Sequence, residues 1–217
     1  MNRTTPSGAA RALVAGAVLM CSCGGEDAGN DTLSVAWRFE SGDCTTNGID
    51  KVRVTATPSG GSGNTNEFAC SAGSGNLGKI TAGTYSIQGE GIDTAGTARF
   101  VHVQSASFPD GKVGGPIDIM LRPKASNVVV TWNGCPEGVV LPYQVAIYRP
   151  PASGPALTDK VKATQASCQE KKAKLENIMP GEYVVEVDSR AVTPAVRGTE
   201  KVTVVGGQDA EVNVAVP

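Results

Sequence analysis

The sequence predicts an all-β fold, with two tandem antiparallel β-sandwiches after a signal peptide and a short flexible tether. The chain has 217 residues, with 27 glycines and only 5% aromatic residues, a composition typical of short strands joined by many turns. Short runs of alternating apolar and polar residues recur along the chain, as expected for half-buried strands. One stretch is repeated at a fixed distance, which indicates a duplicated domain.

The N-terminus has the parts of an export signal. Arg3 and Arg11 supply positive charge, and residues 12–20, ALVAGAVLM, form an apolar run of nine residues. As a helix this run spans about 14 Å, whereas the hydrocarbon core of a bilayer is roughly 30 Å thick. The run is therefore predicted to be the apolar region of a signal peptide and not a transmembrane helix.

The stretch VLMCSC at the end of this run resembles the lipobox of bacterial lipoproteins, in which an apolar residue and two small residues precede a lipidated cysteine. Either Cys21 or Cys23 can be read as the acceptor. Ser22 before Cys23 is small, whereas Met20 before Cys21 is bulky, so side-chain size favours Cys23. The resemblance implies a signal peptide over 1–22 and a protein anchored to a membrane of the bacterial cell envelope by lipid on Cys23.

Cysteine counting also favours Cys23. If Cys23 carries lipid, Cys21 leaves with the signal peptide and four cysteines remain, an even number for an exported protein in which disulfides persist. Residues 23–31, CGGEDAGND, then form the flexible tether. Position 24 is glycine and not aspartate. By resemblance to lipoprotein sorting in Gram-negative bacteria, this implies the outer membrane.

The internal repeat divides the rest of the chain. CSAGSGNLGKITAGTYSI and CQEKKAKLENIMPGEYVV, at 70–87 and 168–185, match at a constant offset of 98 residues. The matched residues are Cys70 and Cys168, Leu77 and Leu175, Ile80 and Ile178, Gly83 and Gly181, and Tyr85 and Tyr183. The prediction is two copies of one domain, 32–122 and 125–217. The joint between them is short, and Pro123 is expected to restrict their relative swing.

The shared pattern L-x-x-I-x-x-G-x-Y resembles a segment of prealbumin-like sandwiches, the group that holds carboxypeptidase regulatory-like and Cna B-type modules. The resemblance implies immunoglobulin-like or prealbumin-like sandwiches. In this pattern we expect the glycine to turn at positive φ, and the tyrosine ring to enter the core while its hydroxyl finds a partner. Residues 170–176 are expected to form a loop, because their counterpart in the first copy is rich in glycine.

The register of the repeat also predicts the disulfides. Cys44 and Cys135 each follow a strand that carries a tryptophan, and Cys70 and Cys168 each precede the tyrosine by fifteen residues. Equivalent cysteines should pair in the same way, so we expect the bonds Cys44–Cys70 and Cys135–Cys168.

No pattern in the chain predicts catalysis, a cofactor or a metal. G-x-S-x-G, phosphate-loop and H-E-x-x-H motifs are absent from the sequence. His102, the only histidine, is expected to be a solvated strand residue. Trp37 and Trp132 are expected to pack in the core and not to stack on a ligand. Acidic residues in the tether and near Asp93 lack the regular spacing of a calcium loop.

These features favour a non-enzymatic, lipid-anchored interaction module of the cell envelope. The near-neutral formal charge of −2 gives no sign of a nucleic-acid partner. Loops 57–67 and 150–160 are the predicted contact surface for an envelope protein or glycan, and the cluster Lys171, Lys172 and Lys174 is expected to be a solvated loop or a contact for acidic glycan or lipid headgroups. One alternative is a structural spacer without a ligand. The other is a carbohydrate-binding module that uses aromatic rings, with Phe68, Phe100, Phe108, Tyr143 and Tyr148 as candidates.

Overall fold

The structure is a computed structural model that describes residues 32–135, 142–154, 156–189 and 196–216. Within these ranges the chain forms fourteen β-strands and two short 3₁₀ helices. The strands of the first copy are β1 (Thr32–Phe39), β2 (Ile49–Pro58), β3 (Asn64–Ala69), β4 (Ser74–Lys79), β5 (Gly83–Asp93), β6 (Ala98–Phe108) and β7 (Ile117–Pro123). Those of the second copy are β8 (Ser126–Trp132), β9 (Pro142–Tyr148), β10 (Lys160–Ser167), β11 (Lys172–Ile178), β12 (Gly181–Asp188), β13 (Arg197–Val204) and β14 (Ala210–Val214).

The two copies have the same sheet order. In the first copy β3-β2-β5-β6 faces β7-β1-β4, and in the second β10-β9-β12-β13 faces β11-β8-β14. The sheets of the first copy join where Phe100 and Val101 of β6 pair with Pro123 and Arg122 of β7. The all-β fold of two tandem sandwiches is therefore as predicted. One hydrophobic core is built from residues 33–121 and the other from 128–216, and we propose the predicted domain limits on this basis.

Each sandwich also contains one parallel pair, which the purely antiparallel prediction missed. β1 lies parallel to β7, and β8 lies parallel to β14. Strand direction alternates along the chain, so the first and seventh strands of a copy must run the same way. The chain therefore enters each sandwich at one end and leaves it at the other, which places the second copy beyond the far end of the first.

The tryptophans lie in the cores, as predicted. Trp37 is 7% exposed and Trp132 is 3% exposed. Each indole N–H donates to the carbonyl oxygen of a disulfide cysteine, from Trp37 to Cys70 at 2.9 Å and from Trp132 to Cys168 at 3.3 Å. Because a buried indole needs an acceptor, this bond fixes the ring and ties the first strand to the cysteine that follows the third.

The L-x-x-I-x-x-G-x-Y segment behaves as expected in both copies. Gly83 has φ 150° and Gly181 has φ 155°. The hydroxyl of Tyr85 donates to the carbonyl oxygen of Thr81 at 3.2 Å, and that of Tyr183 donates to Met179 at 2.8 Å. Both bonds reach four residues back along the chain, so the tyrosine closes the turn that precedes its own strand.

The expected loop at 170–176 is wrong. A 3₁₀ helix covers Cys168–Glu170, and Lys172–Ile178 is strand β11, paired antiparallel with β8. Ala173 and Leu175 are buried while their neighbours are exposed, which is the period-two pattern of a strand. In the sequence, three closely spaced lysines made this segment resemble a loop, and in the first copy the glycines of β4 had the same effect.

Both predicted disulfides are present, Cys44–Cys70 and Cys135–Cys168. The lipidation candidate Cys23, the signal peptide 1–22 and the tether 23–31 lie outside the described residues. Within the described ranges, no helix has the length and apolar character needed to cross a membrane.

Replacing both cysteines of one bridge with alanine is expected to destabilise that sandwich by about 3.5 kcal/mol, because cross-links with sequence separations of 26 and 33 restrict the unfolded chain. Guanidinium unfolding of the full chain, followed by tryptophan fluorescence, measures the loss. The untouched sandwich serves as the internal control. A loss below about 1 kcal/mol in both double variants would contradict a stabilising role for the bridges.

Candidate functional site

Side-chain hydrogen bonds join the two copies at the joint between the sandwiches. Only two residues separate β7 from β8. Arg99, near the start of β6, crosses the joint and donates from Nη1 to the carbonyl oxygen of Gly206 at 3.3 Å and to Oε1 of Gln208 at 3.2 Å. Its Nε donates to Oδ2 of Asp93 at 2.6 Å. One guanidinium therefore connects the β5–β6 turn of the first copy to the β13–β14 turn of the second.

Asp93 is held in place for this ion pair. Its Oδ1 accepts the backbone N–H of Ala95 at 3.0 Å and of Thr97 at 2.8 Å. The pKa of Asp93 lies below its ordinary value of 3.8, chiefly because of the hydrogen bond from the Thr97 amide. The Arg99 guanidinium and the Ala95 amide lower it further. The side chains of Arg99 and Asp93 are only 20% and 11% exposed, so the pair is screened less than a surface salt bridge.

Backbone groups add to the joint. The amide of Lys124 donates to the carbonyl oxygen of Arg99 at 2.8 Å. Within the second copy, Ser126 donates from Oγ to the carbonyl of Val205 at 2.7 Å and accepts the amide of Gln208 at 3.1 Å. The turn at 205–208 is thus tied to the first residue of β8, and its position relative to the first copy is fixed.

Two glycines allow this close approach. A Cβ on Gly206 would lie 2.7 Å from the carbonyl oxygen of Arg99, and one on Gly207 would overlap that of Ala98. Gly207 also has φ 69°, in the left-handed region that favours glycine. Any side chain at these positions would push the copies apart.

A cleft of about 500 Å³ lies beside the joint. Its apolar lining includes Phe100, Pro123, Pro180 and Val205, and Val205 is 43% exposed. The volume is in the range of small-ligand pockets. The charged groups in the lining, Arg99 and Asp93, already bind each other, so the apolar part of the lining is the part suited to a ligand.

His102 differs from its expected state, because it is half-buried and not solvated. Its Nδ1 lies 3.0 Å from the carbonyl oxygen of Met120. The backbone pairing of β6 with β7 ends at Val101. After that residue, side chains of β6 that point inward reach carbonyl oxygens of β7. Gln104 does the same, donating to the carbonyl of Asp118 at 3.4 Å. The histidine therefore closes one edge of the first sandwich, a structural role.

The aromatic residues do not form a ligand platform. The chain has 4 Phe, 4 Tyr and 2 Trp; all of these lie in the described ranges, and none is exposed. Of the five candidates for carbohydrate stacking, Phe108, Tyr143 and Tyr148 are buried and Phe68 and Phe100 are half-buried. Sugar stacking needs an accessible ring face, so of the five candidates only Phe68 and Phe100 keep part of a ring exposed, and the carbohydrate-binding alternative stays a prediction.

The two candidate loops lie apart. In 57–67 only residues 59–63 connect strands, whereas in 150–160 the connection runs up to Lys160. Both connections follow the second strand of a copy and so lie at its entry end, one sandwich apart. They do not form one continuous surface, and whether either binds a partner stays a prediction.

Arg99 and the glycine pair 206–207 were not predicted as a site. The only signal in the sequence is the Gly-Gly in VVGGQ, which is equally typical of an ordinary turn. The possible calcium ligand Asp93 is instead a partner of Arg99. Within the part of the chain that the structure describes, there is no group of three or more His, Cys, Asp or Glu side chains able to hold a metal ion.

No protein-family model and no curated protein sequence matches this chain. Among solved structures it is similar to the Bacillus anthracis TIE protein, with 14% identity, a TM-score of 0.34 and coverage of 86% of this chain and 34% of that one. The chain thus spans about a third of the TIE protein. It is also similar to a two-domain fibronectin type III segment of chicken tenascin, with 17% identity, a TM-score of 0.31 and coverage of 83% and 94%. A fimbrial assembly protein from Parabacteroides distasonis has 11% identity, a TM-score of 0.32 and coverage of 84% and 90%. Similarities this low assign neither a family nor a function.

Replacing Arg99 with methionine is expected to free the joint, because the guanidinium bonds to Asp93, Gly206 and Gln208 are lost while the aliphatic stem is kept. Residual dipolar couplings of the two sandwiches should fit one alignment tensor in the parent protein and two different tensors in the variant. Arg149→Met is the matched control, since Arg149 pairs with Asp159 on the surface, where their side chains are 65% and 57% exposed. A single tensor in Arg99→Met would contradict the locking role.

The joint is also expected to loosen in acid. Asp93 has a lowered pKa in the folded protein, so its bonds stabilise the joint above its unfolded pKa of about 3.9 and are lost as the pH falls through the lower folded value. One alignment tensor should hold from pH 7 down to about pH 4, and two should appear only when the pH falls below the ordinary value of 3.8 and through the lowered folded pKa. In Asp93→Asn the tensors should differ at every pH; unchanged acid behaviour in that variant would assign the transition to another group.

Proposed function

We propose that this chain is a non-enzymatic, lipid-anchored protein of the bacterial cell envelope. In this proposal the two sandwiches form one rigid arm that holds an interaction surface away from the membrane. The observation that supports it is the joint, where Arg99 binds both copies and Gly206 and Gly207 let their backbones touch. Such a lock is of use where the distance or orientation of the second copy matters.

The covalent chemistry supports an exported location. Cys44–Cys70 and Cys135–Cys168 account for every cysteine of the chain outside residues 1–31. Disulfides persist in oxidising compartments and are rare in the cytosol. This agrees with the predicted export signal and with the stretch that resembles a lipobox, and the predicted outer membrane is part of the proposal.

The topology supports the arm. Because seven strands alternate in direction, the chain leaves each sandwich at the end opposite to its entry. The longest strands, β5 and β6, have eleven residues each, which at about 3.3 Å per residue span about 36 Å. The longest strands of the second copy, β10, β12 and β13, have eight residues each and span about 26 Å. Two sandwiches joined end to end then reach about 60 Å from the tether.

The only histidine supports a non-enzymatic role. A general base needs a substrate within reach and an orienting partner. Nδ1 of His102 lies against the carbonyl of Met120, and Nε2 is buried without a bonded partner. Nδ1 therefore donates its hydrogen to that carbonyl, and Nε2 faces the protein interior and not a substrate.

Lipidation is expected at Cys23, so radiolabelled fatty acid should enter the parent protein and not Cys23→Ala. Cys21→Ala is the matched control and should keep the label, because Cys21 is expected to leave with the signal peptide. Label in Cys23→Ala that disappears in Cys21→Ala would move the anchor to Cys21. No label in either single variant or in the parent would overturn the anchored arm.

An interaction module and a spacer differ in what crosslinks to the second copy. The Arg99→Met variant changes one side chain at the joint, leaves the loops and strand edges of both sandwiches unchanged, and is expected to release their relative orientation. For an interaction module, mild crosslinking in cells should give a stoichiometric adduct that decreases in this variant and persists in Arg149→Met. Absence of any adduct in the parent would favour the spacer without a ligand of its own.

A further inference from the structure

One edge of the second copy carries an excess of positive charge. We name Lys160, Lys162, Lys171, Lys172 and Lys174 the lysine edge. Residues 160–176 contain these five lysines and two acidic residues, Glu170 and Glu176, which gives a formal charge of +3. The whole chain carries −2, so the other 200 residues carry −5.

The strand order brings these lysines together. β10 and β11 are edge strands of the two facing sheets of the second copy. Nζ of Lys162 donates to the carbonyl oxygen of Glu176 at 2.6 Å, which places the two strands side by side. All five lysines are exposed. From the level of Lys160 to that of Lys172 the edge runs about six residues, or about 20 Å.

The fold does not require these charges. At the offset of 98 residues, the first copy has Ser62, Asn64, Gly73, Ser74 and Asn76 where the second has the five lysines. The strand order around them is the same. The first copy therefore builds the same edge with uncharged residues.

Lys171 gives a second, independent observation. It ends the 3₁₀ helix Cys168–Glu170 in the left-handed conformation, with φ 50°. The equivalent residue of the first copy is Gly73, with φ 67°. Left-handed backbone is uncommon for residues other than glycine, and such residues cluster at functional sites; Asn177, with φ 57°, is the other one in the described ranges. A lysine stands where glycine would be unstrained.

The groups that contact these lysines do not neutralise the positive charge of the edge. Glu176 pairs with Lys174 at 3.4 Å, with side chains 60% and 49% exposed, so water and salt screen this pair. Lys160 has its ammonium 5.7 Å from the centre of the Tyr148 ring, which orients the cation without neutralising it.

We propose that the lysine edge binds an acidic polysaccharide of the cell envelope. Lysine ammonium groups are flexible point charges that suit anions spaced along a polymer. Addition of a peptide strand is disfavoured, because Lys162 lies across the edge and edge lysines block strand pairing. Nucleic acid is disfavoured because none of the aromatic rings is exposed for base stacking.

The choice of polysaccharide over lipid headgroups rests on the proposed anchor. With lipid at the N-terminus, the first sandwich separates the lysine edge from the bilayer by about 36 Å. Membrane charge acts within a Debye length of about 8–10 Å at ordinary salt. The edge then meets soluble or wall-bound polymers and not its own bilayer.

The test uses the purified full-length mature protein in neutral detergent, with polygalacturonate as the acidic polymer and dextran as the neutral one. Calorimetry should show binding to polygalacturonate alone, weakened by salt. Lys171→Gln/Lys172→Gln/Lys174→Gln should bind at least about tenfold more weakly, because three of the five cations of the lysine edge are removed. The matched control, Lys51→Gln/Lys112→Gln/Lys201→Gln, changes the charge equally and should stay within about twofold of the parent.

Three results would overturn the proposal. The first is no binding of polygalacturonate by the parent protein, and the second is an equal loss in both triple variants. The third is polyglutamate or vesicles of anionic lipid binding tenfold more tightly than polygalacturonate, which would assign the edge to an acidic polypeptide or to a membrane. None of these readouts depends on fatty-acid labelling of Cys23, so failure here is distinguishable from failure of the anchored arm.

The substitution Lys171→Gly tests whether Lys171 contributes to binding or is only a strained residue that the fold tolerates. Glycine relieves the positive φ, so the melting temperature should rise by a few degrees. If Lys171 binds the polymer, affinity should fall in the same variant. A rise in melting temperature with unchanged affinity would remove Lys171 from the edge.

Discussion

The odd number of strands in each copy is the constraint on which the rest of the structure depends. Seven alternating strands leave the first and the last running the same way, and their parallel pairing, β1 with β7 and β8 with β14, closes one sheet of each sandwich. Because the number of strands is odd, the chain leaves each sandwich at the end opposite to the one where it enters. A duplicated domain of this kind extends instead of folding back, and its β5–β6 turn meets the β13–β14 turn of the next copy, where Arg99 fastens them.

Each sandwich holds together with few aromatic residues because one polar bond organises its interior. The indole N–H of Trp37 or Trp132 donates to the cysteine that begins the 3₁₀ helix. That cysteine is also one end of the disulfide, so strand, helix and bridge are fixed at one point. Around it the cores are built mainly from valine, leucine and isoleucine on alternating positions, which a pleated sheet packs well.

Much of this fold follows from the sequence, because alternation, turn glycines and the register of the repeat are local signals. Cys44 pairs with Cys70 as the repeat requires, and Tyr183 caps its turn as the pattern requires. The strand β11 was missed because its exposed face is lysine, which resembles a solvated loop. Arg99 and the burial of His102 were missed because both depend on where β6 meets or leaves β7, and residue spacing along the chain does not report that contact.

Comparison of the two copies separates what the fold needs from what each copy adds. The cysteines, the turn glycine and the tyrosine are identical, so they are explained by packing. Glu186 is different: it is 2% exposed on the outer side of its sheet, where it binds Arg197 and Tyr148, while its counterpart Gln88 is exposed. A buried carboxylate is expensive unless paired. With the lysine edge, this makes the second copy the one whose surface departs from what stability alone requires, and therefore the place to look for the partner.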